Sequence, residues 1–218
     1  EEEAVRAWLR KQGFKKDDLR SEKNRWPHMH PMGHACWKGE LNVCKWLHAH
    51  GAAPDIIKAS SHDSRTSMHR ACEMGHLSVC KWLLKKGATE LITKRTAAGW
   101  TPMLFACAYG QLSVCKWLLE VGEAADIFNR SNFGTTPAFA AFEQGHLSIC
   151  SWLVFNGAFN RRPATEDDAQ HDEAIGHVDQ AIVKCETRSD DTHNKRSELL
   201  AWAQDVVATH PTFLHVVL

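Results

Sequence analysis

The stretch Val114-Cys115-Lys116-Trp117-Leu118 decides how this chain is read, because it recurs twice unchanged and once in altered form. Val43-Cys44-Lys45-Trp46-Leu47 and Val79-Cys80-Lys81-Trp82-Leu83 precede it, and Ile149-Cys150-Ser151-Trp152-Leu153 follows it. The tryptophans stand at 46, 82, 117 and 152, so the steps are 36, 35 and 35 residues. A fainter copy, Val5-Arg6-Ala7-Trp8-Leu9, lies 38 residues before the first. A glycine follows each of these tryptophans by five positions: Gly13, Gly51, Gly87, Gly122 and Gly157. Self-similarity at a period of this length marks a repeat architecture, in which each unit buries its apolar face on the next.

Moving upstream from Val114, each full unit shows a second half. Its clearest copy is Thr101-Pro102-Met103-Leu104-Phe105-Ala106-Cys107-Ala108-Tyr109-Gly110, with counterparts at His30 to Gly39, Thr66 to Gly75 and Thr136 to Gly145. Thr101 is suited to cap a helix by accepting a backbone N–H bond, and Pro102 suits the first helical position. Thr136-Pro137 repeats the device. Gly110 ends the first helix, since glycine takes the left-handed conformation without a Cβ clash. Leu112, Val114, Cys115, Leu118 and Leu119 then define the apolar face of a second helix, which Gly122 stops.

These residues resemble the ankyrin repeat, whose pattern is Thr-Pro-Leu-His-x-Ala, then Gly-His, then an apolar helix ending in Gly-Ala. The match covers residues 26–161. The resemblance implies an all-α fold: an ankyrin-repeat solenoid of stacked helix-turn-helix units with β-turn fingers and a C-terminal helical cap. The linkers Ala53 to Arg65 and Ala124 to Thr135 become the fingers. Departures from the pattern are plain. His30 replaces the capping Thr, Ser67 replaces Pro, and the family's His occurs only as His69, with Gly33, Leu104 and Phe139 at the equivalent places. The first unit is therefore expected to be locally less regular.

The ends divide the chain further. Residues 1–25 read as a truncated N-terminal repeat and a charged connector, 26–161 as four repeats, and 162–218 as a C-terminal helical cap or docking segment. Within the last, Ser197 to Thr209 has the spacing of an amphipathic helix, and Leu214, Val216, Val217 and Leu218 make an apolar end. A solenoid needs a cap at each end; docking on another subunit is the alternative reading.

Composition narrows the function classes. The chain has 218 residues, with 26 Lys and Arg against 26 Asp and Glu. A balanced chain has no bulk field to draw nucleic acid or an anionic membrane surface. No run of about 20 apolar residues occurs, so no membrane span is expected. The first residue is Glu1 rather than Met. The expected setting is the cytoplasm, with nuclear and organellar compartments left open by that start.

Catalytic and metal chemistry find little footing. Seven of the eight cysteines occupy repeat positions: 36, 72 and 107 in first helices, and 44, 80, 115 and 150 in second helices. Cysteines one repeat apart stand about 10 Å from one another across packed helices, too far for ligands that each sit about 2.3 Å from a zinc ion. Pairs eight residues apart, such as Cys72 and Cys80, leave a disulfide conceivable, although the family has small apolar residues there; buried thiols acting as small hydrophobes is the preferred reading. His28, His30 and His34 cluster in sequence without an acid or thiol to complete a metal site. No P-loop, Gly-x-Ser-x-Gly or His-Glu-x-x-His motif is present, so neither enzyme activity nor a cofactor is expected.

The expected function is a non-catalytic adaptor or scaffold binding another protein. The alternative is a permanently docked structural subunit of a large complex, an organellar one among the options, anchored by the apolar C-terminal segment. Likeness to other ankyrin proteins places partner contact on the fingers and on the concave face of the first helices. The candidates are His34, Trp37, Lys38, Arg70, Glu73, Met74, Phe105, Tyr109 and Glu143 on the helices, with Trp100, Arg130 and Phe133 on the fingers. Trp37, Trp100, Tyr109 and Phe133 are the expected anchors, since aromatic residues dominate interface hot spots. The alternative is that several merely cover their own repeat.

Overall fold

Three helix starts in this protein use two kinds of side chain for one task. Thr101 accepts a hydrogen bond from the Leu104 N–H at 3.3 Å. Thr66 and His69 form a reciprocal capping box, in which the Thr66 N–H donates to His69 Nδ1 at 3.1 Å. His30 accepts the Gly33 N–H on its Nδ1 at 3.2 Å, doing with imidazole what threonine does elsewhere. The substitution at position 30 thus leaves the first unit properly capped.

A computed structural model describes residues 2–14, 19, 29–122 and 127–156. Its helices are α1 (Glu2–Lys11), α2 (Pro31–Lys38), α3 (Leu41–Leu47), α4 (Ser67–Glu73), α5 (Leu77–Lys85), α6 (Pro102–Ala108), α7 (Leu112–Val121), α8 (Pro137–Glu143) and α9 (Leu147–Phe155). No strand occurs among the described residues. The fold is all-α and repetitive. The end of the expected fourth repeat, the C-terminal cap and the amphipathic stretch 197–209 lie outside the described residues, as does most of the 15–25 connector.

The chain divides into two compact units, Glu1–Pro137 and Ala138–Leu218. In the first, each helix meets its counterpart one unit away: α2 packs on α4 and α4 on α6, while α1 packs on α3, α3 on α5 and α5 on α7. Each pair also closes on itself, α2 with α3, α4 with α5 and α6 with α7. The core is periodic because the sequence is. Met32, Met68 and Met103 are fully buried at one position of the first helices, and Leu47, Leu83 and Leu118 at one position of the second. Burying such a side chain contributes about 1.5–3 kcal/mol. Lys45, Lys81 and Lys116 are exposed, as the outer face requires.

Tryptophan and cysteine fill the same layers. Trp46, Trp82 and Trp117 are buried on α3, α5 and α7. Arg6 of α1 lies 5.5 Å above the Trp46 ring, and His48 meets Trp82 edge-on at 5.8 Å, so the indoles contact the preceding unit. Trp8 differs: it is half-buried and packs on His34 of α2, with ring centres 5.8 Å apart. The thiols of Cys36 and Cys44, Cys72 and Cys80, and Cys107 and Cys115 lie buried with their sulfurs 3.7 Å apart, within hydrogen-bond contact and not joined as disulfides. A hydrogen bond from Cys36, reinforced by burial, pushes the Cys44 thiol far above its ordinary range. Burial pushes Cys150 in the second unit up to about 12. Protonated and enclosed, these groups behave as small hydrophobes rather than nucleophiles.

Glycine closes the stack at two points. Gly39 and Gly75 both have φ near +75°, and a Cβ there would run into His76 and Gln111 respectively. These two side chains occupy the space the glycines leave. His76 Nε2–H donates to the Trp37 carbonyl at 3.1 Å, and Gln111 Nε2 donates to that of Glu73 at 3.4 Å, tying each unit to the one before. The first unit does depart from the others, but at its end. Beyond Leu47 the chain enters a wide turn, His48–Ala52, where His50 and Gly51 leave helical geometry. There His50 stacks on Trp46 at 4.0 Å and donates from Nδ1 to its carbonyl.

Candidate interaction surface

A backbone bond closes the base of each finger: Ser60 N to Arg65 O, Thr96 N to Trp100 O, and Ser131 N to Thr135 O, all at 2.8–2.9 Å. A hydroxyl in the leading residue reinforces each turn by accepting a backbone N–H: from His62 to Ser60, from Trp100 to Thr96, and from Phe133 and Thr135 to Ser131. The first finger is one residue longer than the others. All three place a left-handed residue before the closing one: Ser64 at φ +58°, Gly99 at +78° and Gly134 at +79°. Only the first does so without glycine. Left-handed backbone costs a non-glycine residue about 1–2 kcal/mol, part of which glycine's larger unfolded-state entropy cancels. Ser64→Gly is therefore expected to raise stability by about 0.5 kcal/mol, read as a higher urea midpoint at unchanged slope. An unchanged or lower midpoint contradicts the strain.

Neighbouring fingers are bonded sideways. Ala97 N donates to Asp63 O at 3.4 Å, Asn132 N to Ala98 O at 3.0 Å, and Asn132 Nδ2 to Ala97 O at 3.0 Å. Arg95 Nη2 donates to Arg130 O at 2.6 Å. The second finger is also fixed from below. His69 Nδ1 accepts from Thr66, so its proton lies on Nε2, which donates to the carbonyls of Lys94 at 2.9 Å and Trp100 at 3.2 Å.

Between the first finger and the first helices lies a network of four charges. Arg65 meets Asp63 at 3.1 Å and Glu73 at 3.0 Å; Arg70 meets Asp63 at 2.8 Å and Glu73 at 3.6 Å. The Arg65 guanidinium lies 4.4 Å above the Phe105 ring. Burial alone raises the Asp63 carboxyl. The Arg65 N–H, the Ser60 hydroxyl and the two guanidinium groups overcome that and hold it below its ordinary range. Burial likewise draws Arg70 down, opposed mainly by Asp63. The exposed Tyr109 hydroxyl is pushed up by partial burial and by Glu73 beside it. With two cations and two anions, the network is balanced internally.

This geometry sorts the residues expected to meet a partner. His34, Arg70, Glu73 and Phe105 are buried. His34 sits between Phe14 and Trp37 with ring centres 5.6 Å away, and its Nε2 donates to Gln12 Oε1 at 3.1 Å. Arg70 and Glu73 belong to the charge network, and Phe105 carries Trp100 at 5.0 Å. Trp37, Trp100 and Arg130 are half-buried. Lys38 is exposed with its Nζ 4.4 Å above Trp37. Met74 is 40% exposed, Tyr109 48% and Phe133 79%. Lys38, Met74 and Tyr109 occupy the same position of three successive units, so they form a row across α2, α4 and α6. Glu143 is exposed in the second unit. Sequence reading passed over Arg95 and Asp63; the adjacent bases Lys94-Arg95 inside a linker were the one available signal for the former.

A pile of helix pairs, each tied to the last through side chain-to-carbonyl bonds and carrying laterally bonded turns along one edge, defines a tandem helix–turn–helix repeat protein. Residues 28–84 and 68–119 match the family model for ankyrin repeats (many copies). Residues 28–119 are ankyrin repeats. No curated protein matches it. No helix among the described residues is long and apolar enough to cross a membrane.

Proposed function

We propose that this chain is a non-catalytic adaptor that holds another protein against its fingers and the open face of its first helices. The observation that carries the reading is the row of exposed side chains, Met74 and Tyr109 with Phe133 on the neighbouring finger edge, mounted on a backbone fixed by inter-unit bonds. Exposed aromatic and methionine side chains on a rigid frame lose little entropy on association. A reducing, cytoplasmic setting accompanies this reading, supported by three buried thiol pairs whose sulfurs stand 3.7 Å apart, too far for a disulfide.

Affinity capture from the native cells tests it, comparing the full chain with a Met74→Ala/Tyr109→Ala variant. One specific partner is expected to weaken by about tenfold or more, as central interface residues require. Circular dichroism of the variant should match the parent, because both side chains face outward. Capture that survives this change but fails on removal of residues 210–218 would transfer the docking role to the apolar stretch at 213–218, and the chain would be a fixed structural subunit instead.

A further inference from the structure

One cation on the finger edge is set in place before any partner arrives. Arg95 is exposed, yet its Nη2 donates to the Arg130 carbonyl at 2.6 Å. The same atom lies 2.8 Å from the place a Cβ on Gly99 would take, so Gly99 both makes the left-handed turn and leaves room for the guanidinium. The finger beneath is held by Asn132 on one side and by His69 Nε2 on the other. Among the described residues no carboxylate pairs with Arg95 or with exposed Lys94. Arg65 and Arg70, by contrast, are matched by Asp63 and Glu73. A guanidinium has five donors, and this one has spent one of them on its own anchor. Part of its side-chain ordering is already made in the folded chain, and a planar fork so held fits a carboxylate through two parallel bonds. Phe133, 79% exposed, stands on the adjoining finger three residues beyond Arg130, whose carbonyl anchors Arg95, and adds an apolar surface to that edge.

We propose that Arg95, assisted by Lys94, reads carboxylates at the finger edge, and that the partner docks there with an acidic peptide segment whose aromatic or aliphatic side chain covers Phe133. This rests on the interaction reading above and deepens it by naming the partner's chemistry.

The test uses the full chain, fluorescently labelled and overlaid on a dense array of short random-sequence peptides that includes phosphoserine-bearing members. Retention is expected to rise with Asp and Glu content and to fall as salt is raised. Arg95→Gln, which removes the charge and the fork, should lower retention by acidic peptides about tenfold while leaving neutral ones unchanged. Arg95→Lys should recover only part, since an ammonium lacks the fork. Retention independent of acid content, an Arg95→Gln variant that binds like the parent, or binding confined to phosphorylated members would each overturn the proposal. Partner capture that remains sensitive to Met74→Ala/Tyr109→Ala in such a case leaves the adaptor reading intact, so the two fail separately.

Discussion

Trp82→Ala is expected to destabilise the protein by about 3–5 kcal/mol, the range for emptying a buried aromatic site. Trp82 lies on α5, which packs between α3 and α7, and its ring is enclosed with His48 against its edge. Removing it leaves a cavity at the place where the middle unit touches the unit before it. In a stack held by nearest-neighbour contacts, weakening one interface uncouples the pieces on either side. The melting transition should therefore broaden or split in addition to moving down. Lys81→Ala, one residue away and exposed, should change stability by no more than about 0.5 kcal/mol. Urea and calorimetric unfolding of the two variants check both statements. A loss of less than about 1 kcal/mol for Trp82→Ala would show that the indole ladder is not core.

How far the sequence reaches is visible in the same residues. A tryptophan at a fixed step of 35 or 36 residues has to meet the same surroundings each time, and only a buried helix-to-helix contact recurs in that way; the ladder, the thiol pairs and the outward lysines were all legible for this reason. Periodicity says nothing about positions that change from unit to unit. Those are the positions proposed for the interaction surface, and their fate depends on local partners. Arg70 and Phe105 occupy one equivalent place on α4 and α6, and both look like partner contacts in the sequence. In the fold, Asp63 reaches Arg70 from a finger and Arg65 covers Phe105, so neither is open. Tyr109, four residues on at the C-terminal end of α6, has no such cover and stays exposed. His30 misled in the opposite direction. It breaks the threonine pattern, yet an imidazole nitrogen reaches the Gly33 N–H as a hydroxyl would. The fixed placement of Arg95 was not legible, because its anchor is a backbone carbonyl 35 residues away, on a finger whose sideways bonding no local pattern records.

Lowering the pH is the second change with a large expected effect, and it acts through His69. Burial draws this imidazole down to about 4 from its ordinary 6.5, with Arg65 and Arg70 adding to the depression and the bonds to the Lys94 and Trp100 carbonyls opposing it. Above pH 6.5 the ring is neutral in both folded and unfolded chains, so its contribution is fully present and independent of pH. Between 6.5 and 4 the unfolded chain takes up a proton that the folded chain refuses, and stability falls as pH falls. The loss should reach about 2 kcal/mol by pH 5 and about 3 kcal/mol near pH 4. Asp63 acts in a lower window: its carboxyl is held below its unfolded value of 3.8, so its contribution is lost only as pH drops beneath that. His69→Leu separates the two, and the chain itself tolerates the replacement one unit on, where Leu104 stands at the equivalent place. The variant gives up the bonds to Lys94 and Thr66 and should be weaker by about 1–3 kcal/mol at pH 7. Its stability should nevertheless change much less between pH 7 and pH 5 than the parent's, because the titrating group is gone. Other histidines contribute equally to both chains, so the difference between the two curves isolates position 69. Parallel curves would mean that His69 is protonated in the folded state without penalty. In that case the ring could not act as acceptor for the Thr66 N–H, and the capping box that starts α4 and fixes the second finger would have to be drawn differently.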